Sequence, residues 1–253
     1  MFTLTTRTRV RASERAVDWD AYAREYDYLL LQNPAYLDVL SLFASALRRY
    51  PPPPGAAALD IGSGTGNLAA VLSHVRPDLH WFLLDPSPAM QRAAARKLTG
   101  RTVTPLQAGA DDVDLTGVQP HLITLMHSLY TLPDPQGTLR RCAQALPPGG
   151  MLILCDIGRP LNVTRWAAYL AHTSVKRQGL RATARLLRTT GQVRAQNRAI
   201  HAAQRAGRYW LHSPAELRGA VQAAGLDVLE QRLAYRGNSD FLIATRSAGA
   251  GRP

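Results

Sequence analysis

The sequence has little cysteine and no long apolar stretch. Its two cysteines, Cys142 and Cys155, are too few for a disulfide framework, and neither lies in a metal-ligand pattern. We therefore expect no metal site. No apolar run approaches the roughly 20 residues that a membrane-spanning helix needs, and residues 1–15 lack the apolar core of a secretory signal. These absences favour a cytoplasmic protein.

Lysine is scarce as well, and acidic residues are missing from one long segment. Only Lys97 and Lys176 are lysines among the 30 basic residues, and the others are arginines. Residues 159–210 contain eleven basic residues and no acidic one, whereas the rest of the chain carries 19 basic and 18 acidic residues. The net charge of +12 is thus concentrated in one segment. This distribution predicts a local basic surface rather than a protein covered in positive charge.

The chain otherwise has the composition of a folded α/β protein. It is 46% hydrophobic and 19% charged, and its 253 residues suit one domain with an elaboration. Residues 19–50 show helical periodicity with a break at Asn33-Pro34. Downstream, short apolar runs alternate with helical stretches, which predicts a mostly parallel sheet with helices on both faces. Two final strands, near 228–235 and 241–245, are predicted to form an antiparallel hairpin.

A glycine-rich turn carries the strongest chemical signal. Gly62, Gly64 and Gly66 close one predicted strand and open a helix, so a ligand can approach bare backbone at the positive end of that helix. Asp85 ends the next predicted strand, where a carboxylate can accept hydrogen bonds from both hydroxyls of a ribose. These features predict an adenosine-containing ligand across the two strand ends. The dinucleotide fingerprint would need a glycine at Asn67, so the spacing favours S-adenosylmethionine over NAD.

With this spacing the sequence resembles the class I S-adenosylmethionine-dependent methyltransferases, in particular the small-molecule group that includes quinone-biosynthesis methyltransferases. The resemblance covers most of residues 19–246 except the basic segment. It implies a Rossmann-like, doubly wound, mostly parallel seven-stranded sheet with a C-terminal antiparallel hairpin and a helical cap insertion. It also implies methyl transfer from S-adenosylmethionine to a small-molecule acceptor, with S-adenosylhomocysteine as product. The motifs that carry it are residues 19–27, 59–66, 84–90, 122–135, 146–152, 213–217 and 224–226.

The resemblance also implies which residues bind the cofactor. Asp85 would bind the ribose, and the residues after it would pack on the adenine. Ala110 would give the adenine a backbone contact, but Gly109 stands where the family usually carries an acid. Asp111 or Asp112 is then expected to accept a hydrogen bond from the adenine amino group. The full predicted cofactor set is Tyr22, Asp60, Gly62, Ser63, Gly64, Gly66, Asp85, Pro86, Met90, Ala110, Asp111 and His127.

His127 and Tyr130 are the candidate catalytic residues. They follow the fourth predicted strand, where the cofactor methyl group and the acceptor should meet. The pKa of histidine suits a catalytic base, although packing beside the cofactor is the alternative role for His127. Positioning alone can supply on the order of 7–11 kcal/mol, so methyl transfer does not require a dedicated base.

The basic segment is predicted to form a helical cap over the acceptor. Within it, Arg177, Arg181, Arg185 and Arg188 are spaced to share one helical face. Such a face favours capture of an anionic substrate or peripheral contact with an anionic membrane, or it is only a solvated surface. The predicted organisation is an N-terminal helical segment (1–50), a cofactor-binding domain (51–158 and 211–246), the cap (159–210) and a flexible tail (247–253).

Two other functions are compatible with these motifs. The arginines would suit a nucleic-acid methyltransferase acting on RNA. Against this, the fourth strand lacks the Asn/Asp-Pro-Pro-aromatic motif of base methylation, and no RNA-binding module is visible. The second alternative is a catalytically inactive cofactor-binding partner protein, against which the intact glycine turn argues. No motif identifies the accepting atom, the substrate or the oligomeric state.

Overall fold

A mixed seven-stranded sheet forms the centre of the fold. The computed structural model describes residues 17–30, 32–189 and 191–247, so residues 1–16 and the predicted tail beyond 247 lie outside the described residues. The strands in the described part are β1 (Ala57–Ile61), β2 (His80–Leu84), β3 (Val103–Leu106), β4 (Leu122–Met126), β5 (Met151–Ile157), β6 (Asp227–Ala234) and β7 (Ser239–Thr245). They lie in the order β3-β2-β1-β4-β5-β7-β6. Strand β7 is antiparallel to both neighbours and all other pairs are parallel, which confirms the predicted sheet and hairpin.

Helices cover both faces of this sheet. They are α1 (Trp19–Leu30), α2 (Pro34–Arg49), α3 (Asn67–Val75), α4 (Pro88–Lys97), α5 (Pro135–Ala145), α6 (Val163–Thr189), α7 (Gly191–Arg205) and α8 (Pro214–Ala223). The predicted break before α2 is confirmed. The Asn33 side chain accepts a hydrogen bond from the Ala35 amide at 3.1 Å, and Pro34 is the first helical residue. Among the helices described here, none combines the length and apolarity needed to cross a bilayer.

Two apolar layers lie on opposite faces of the sheet. Successive residues of a strand point to opposite faces, so Ala58 of β1 enters the layer shared with α2 and α3, and Leu59 enters the layer shared with α5 and α8. Trp81, which is fully buried, lies in the first layer. The predicted doubly wound architecture is therefore confirmed, and the carboxyl ends of the parallel strands meet at one edge.

Between β5 and α8 the chain forms two helices, α6 and α7, in the segment predicted to be the cap, and the first of them is not straight. Gly179 has φ 82° and ψ 169°, outside the helical region, and it divides α6 into two segments. The Ser174 and Thr183 hydroxyls lie 2.9 Å apart, whereas nine residues of straight helix span about 13.5 Å. The chain therefore folds back at Gly179. The prediction that Arg177, Arg181, Arg185 and Arg188 share one helical face is wrong, because this bend separates Arg177 from the other three.

Candidate cofactor and acceptor site

The glycine turn between β1 and α3 has the backbone geometry that its sequence predicts. Gly62, Gly64 and Gly66 all have positive φ, at 69°, 53° and 73°. At Gly62, a Cβ atom would lie 2.4 Å from the Ser128 Cβ, so close packing excludes a side chain there. At Gly64, the nearest atom to such a Cβ would be the Met90 sulfur at 4.0 Å. The backbone at Gly64 is thus open to a ligand, and its φ still favours glycine.

Polar groups at this turn are left without partners by the protein itself. Helix α3 begins after Gly66 with no side chain capping its first amides. Asp60 Oδ1 accepts a hydrogen bond from Thr124 Oγ1 at 2.8 Å. In the part of the chain that the structure describes, no group hydrogen-bonds Asp60 Oδ2 or Ser63 Oγ. Burial raises the pKa of Asp60 to about 7, and nearby Asp85 adds to this rise. Because buried polar atoms rarely lack partners, these residues fit a polar ligand at the turn.

Asp85 follows β2 and faces the turn, as predicted. One carboxylate oxygen accepts a hydrogen bond from the Gly64 amide and the other accepts one from the Ser87 amide, each at 2.9 Å. Burial raises the pKa of Asp85, and the two backbone hydrogen bonds oppose that rise. Met90 is buried behind Gly64, whereas Pro86 is exposed at the rim. Asp85 thus keeps lone pairs available for a ligand beside the open glycine.

In the loop after β3, Asp111 and Asp112 have different surroundings. The sequence alone left open which of them would accept a hydrogen bond from the adenine amino group. Arg141 on α5 donates a hydrogen bond to the Ala110 carbonyl at 2.6 Å and forms an ion pair with Asp111. The carboxylate of Asp111 is therefore engaged by an arginine that no sequence motif indicated. A Cβ atom on Gly109 would lie 2.6 Å from Asp112 Oδ2. The Asp112 carboxylate thus lies where a side chain at position 109 would begin.

Helix α1 contributes two acids that sequence reasoning missed. Asp20 accepts a hydrogen bond from the Ser87 hydroxyl in the loop after β2. Asp27 accepts one from Thr65 Oγ1 in the glycine turn and lies 2.7 Å from Lys97 Nζ. The available signal was their spacing of seven residues, which places both on one helical face. Helix α1 therefore lies across both cofactor loops.

His127 adopts an unusual backbone conformation at the end of β4. Its φ is 54°, and its amide donates a 2.7 Å hydrogen bond to the Cys155 carbonyl. The ring Nε2 lies 3.1 Å from Ser239 Oγ, and the ring packs 4.6 Å from that of Tyr235. Burial lowers the pKa of His127 to about 4, so the imidazole is neutral near pH 7. This geometry suits packing better than proton transfer.

Aromatic and aliphatic side chains lie between the cofactor loops and the cap. We call this set the aromatic cluster. Tyr22 is buried in it, and its hydroxyl donates to Asn197 Oδ1 on α7 at 2.9 Å. Tyr130 is also buried, and burial raises the pKa of its phenol well above the ordinary value. The cluster is composed of Tyr22, Met90, Tyr130, Ile157 and Ile200, with Trp19, Tyr26, Tyr209 and Leu211 among the side chains packed against it.

The sequence matches a known family model over most of its length. The model describes a methyltransferase domain and matches residues 22–231. Among curated relatives, the ubiquinone/menaquinone biosynthesis C-methyltransferase of Shewanella oneidensis is 30% identical over 112 residues, which is 42% of this chain and 45% of that protein. The matched segment thus spans less than half of that relative.

Solved structures agree with the fold. Human N-acetylserotonin methyltransferase in complex with S-adenosylmethionine has a TM-score of 0.57 at 15% identity, covering 90% of this chain and 57% of that chain. Magnesium protoporphyrin IX methyltransferase from Synechocystis with bound S-adenosylhomocysteine has a TM-score of 0.55 at 16% identity, covering 84% of each chain. The predicted class I methyltransferase resemblance is confirmed. Because the family model covers residues 22–231 and the fold agrees with it, the chain belongs to the methyltransferase-domain family.

Proposed function

We propose that this protein transfers a methyl group from S-adenosylmethionine to a small-molecule acceptor and releases S-adenosylhomocysteine. The observation that carries the proposal is the glycine turn, where Asp60 and Ser63 have buried polar atoms without partners beside the open backbone of Gly64. Asp85 adds a carboxylate at the same place. The family match and the cofactor named for human N-acetylserotonin methyltransferase support the choice of ligand.

Each part of the turn and its neighbours has a role in holding this cofactor. The first amides of α3 and the Ser63 hydroxyl suit a carboxylate, and Asp60 suits an ammonium group. Asp85 accepts from the ribose, and Met90 supports the adenine. When bound, the cofactor supplies a methyl group on a positively charged sulfur. The protein holds the acceptor in line and excludes water, which accounts for most of the rate enhancement that it must provide.

The acceptor is a flat apolar molecule that contains a ring. Tyr130 and Ile157 on the sheet side and Ile200 on the cap form aromatic and aliphatic walls next to the cofactor loops. Aromatic rings favour offset or edge-on packing against another ring. The basic side chains that the sequence analysis associated with an anionic substrate, such as Arg177 and Arg181, are solvent-exposed instead.

The exposed basic end of the cap binds an anionic membrane from which such an acceptor is taken. Lys176, Arg177 and Arg181 are exposed around the bend at Gly179. Leu180, in the same bend, is 75% exposed. One apolar side chain surrounded by cations suits a surface of anionic lipid headgroups, where each cation contributes about 1 kcal/mol. We call residues 176–181 the cap tip.

A labelled-methyl assay tests the proposed function. The protein is incubated with S-adenosylmethionine carrying a radioactive methyl group and with separate acceptors: a hydroquinone with and without a prenyl tail, a catechol, a sugar phosphate and bulk transfer RNA. We expect label in the hydroquinone or catechol products only. Label in RNA would favour the nucleic-acid alternative, and label in the sugar phosphate would favour an anionic acceptor. Binding of S-adenosylhomocysteine without any transfer would favour the inactive partner protein.

A further inference from the structure

The two ends of the cap meet at one buried carboxylate. Asp240 lies on β7 and is completely buried. Arg159, the first residue of the cap, forms an ion pair with Asp240 Oδ2. His212, two residues after the cap ends, places its Nδ1 atom 3.5 Å from the same oxygen. A single carboxylate oxygen therefore contacts both the entry and the exit of a segment of about fifty residues.

The backbones at the entry and the exit of the cap also lie close together. The His212 amide donates a hydrogen bond to the Gly158 carbonyl at 3.1 Å. A Cβ atom on Gly158 would lie 2.3 Å from the His212 carbonyl oxygen, so only glycine allows this approach. Asp156 is directly opposite Asp240 in the β5–β7 register, and His212 Nε2 lies 3.6 Å from Asp156 Oδ2. We call these residues, Asp156, Gly158, Arg159, His212 and Asp240, the neck of the cap.

The neck adjoins the acceptor side of the site. Ile157 lies between two neck residues and belongs to the aromatic cluster, and Leu211 packs against that cluster next to His212. The Trp210 amide donates a hydrogen bond to the carbonyl of Tyr130 at 3.0 Å, which ties the exit of the cap to a candidate catalytic residue. A change in the neck would therefore shift the walls that face the acceptor.

We propose that Asp240 is a positioning residue, which joins the entry and exit of the cap and so keeps the cap closed over the acceptor. This inference rests on the proposed function only for its catalytic consequence. Buried charges add little stability compared with apolar packing, and removal of one partner is costly. The neck therefore serves to fix the relative positions of the two ends of the cap, since Arg159 and His212 must both contact the same oxygen of Asp240.

Limited digestion with trypsin tests closure without needing an acceptor. The cap contains ten potential cleavage sites, since Pro160 prevents cleavage after Arg159, and it has no acidic residue. We expect Asp240→Asn to increase cleavage within residues 163–205 by about tenfold, because protease attacks the open form. Asp78→Asn is the matched control. Asp78 is also paired with an arginine, Arg76, but it lies in the connection before β2, and cleavage of the cap should not change.

Substitutions of Arg159 keep the test decisive if Asp240→Asn does not fold. The Arg159 side chain is partly exposed, so its replacement should destabilise the fold less than replacement of the buried Asp240. Arg159→Met removes the charge and should also increase cap cleavage. Arg159→Lys keeps the charge and should restore slow cleavage. Cap cleavage at the wild-type rate in both Asp240→Asn and Arg159→Met would overturn the proposal.

Ligand binding distinguishes positioning from general stability. In Asp240→Asn, the affinity for S-adenosylhomocysteine should stay within a factor of two, while the KM for an acceptor found in the labelled-methyl assay should rise about tenfold. If Asp240→Asn loses affinity for S-adenosylhomocysteine together with the resistance of its cap to trypsin, the neck is merely structural and the proposal is wrong. If no acceptor is found, the proposed function fails, but the digestion still decides whether Asp240 closes the cap.

Discussion

At the scale of single residues, we propose that Asp112 takes the place of the acid that the family usually carries at position 109. Asp112 lies where a side chain on Gly109 would start, whereas Arg141 engages Asp111. We expect Asp112→Asn to weaken S-adenosylhomocysteine binding about tenfold or more, because a charged hydrogen bond is worth about 1.5–3 kcal/mol. Asp111→Asn is the matched control and should cost little affinity. Titration calorimetry measures both, and weaker binding by Asp111→Asn alone would reverse the two roles.

The buried carboxyl of Asp60 makes stability depend on pH. Burial raises its pKa to about 7 in the folded protein, while an aspartate in an unfolded chain titrates near a pKa of about 3.9. Between these values the folded state holds a proton that the unfolded state has lost. The stabilisation is complete below about pH 4 and is lost as the pH rises through about 7.

Asp60→Asn cannot ionise and tests this dependence. Relative to the wild type, the variant should gain on the order of 1–4 kcal/mol in unfolding free energy between about pH 4 and about pH 8. Urea denaturation at several pH values in this window measures the difference. The Thr124 hydroxyl donates a hydrogen bond to Asp60, and it can donate the same bond to the amide oxygen of an asparagine at position 60. A difference that stays constant across the window would show that Asp60 is ionised in the folded protein throughout.

The sequence predicts those site residues whose function depends on a local pattern. The glycine turn and Asp85 lie at the ends of consecutive strands, so spacing alone placed them together. The partners of Asp20 and Asp240 could not be found in this way, because Ser87 and Arg159 are 67 and 81 residues away in the chain. Only the fold brings such pairs together.

At the scale of elements, hydrophobic periodicity located most helices and strands to within a few residues. The strands predicted near 228–235 and 241–245 are β6 (Asp227–Ala234) and β7 (Ser239–Thr245), because apolar runs and turn residues mark them clearly. Helix α6 is the exception. Its periodicity continues past Gly179, but a glycine can leave the helical region without steric cost, and the pattern gives no sign of the bend.

The bend changes which basic residues can act together at a membrane. Arg177 and Arg181 flank it and are both exposed. The double variant Arg177→Gln/Arg181→Gln should bind vesicles of mixed phosphatidylglycerol and phosphatidylcholine about tenfold or more weakly, since two contributions of about 1 kcal/mol are lost. Co-sedimentation at low and high salt measures binding, and binding of the wild type should weaken as salt screens the charges.

An equal loss of charge elsewhere controls for net charge. Arg48 on α2 and Arg96 on α4 are exposed outside the cap. Arg48→Gln/Arg96→Gln should bind these vesicles as the wild type does. Equal weakening in both double variants would mean that the overall charge of +12 attracts the lipid without a specific surface. Binding of the wild type to pure phosphatidylcholine would contradict the electrostatic account.

At the scale of the whole molecule, the sheet order follows from general rules, but the closure of the cap does not. Alternating strands and helices predict a doubly wound sheet with its site at the carboxyl ends of the strands. The sequence also shows that the cap is inserted between β5 and α8. That both ends of the cap contact Asp240 depends on the pairing of β5 with β7, which is a tertiary feature.

Ligand binding should stabilise the whole fold, because helix α1 and both cofactor loops form one connected site. At about 100 times its dissociation constant, S-adenosylhomocysteine should add about 2.7 kcal/mol. For a domain of this size that corresponds to a rise in Tm of about 5–10 °C. NAD should give no shift, because the turn lacks the last glycine of the dinucleotide pattern. Differential scanning fluorimetry with each ligand measures the comparison.

The two ends of strand β2 provide the matched variants for this measurement. Asp85 follows β2 at the glycine turn and contacts the Gly64 amide, whereas Asp78 precedes the same strand and contacts the Gly55 amide at 3.0 Å. Asp85→Ala should lose most of the ligand-induced shift, because the ribose loses its charged acceptor. Asp78→Ala should start from a lower Tm and keep the full shift, because the site is unchanged. A normal shift in Asp85→Ala would remove this residue from the site, and stabilisation by NAD alone would replace S-adenosylmethionine with a dinucleotide as the ligand of the turn.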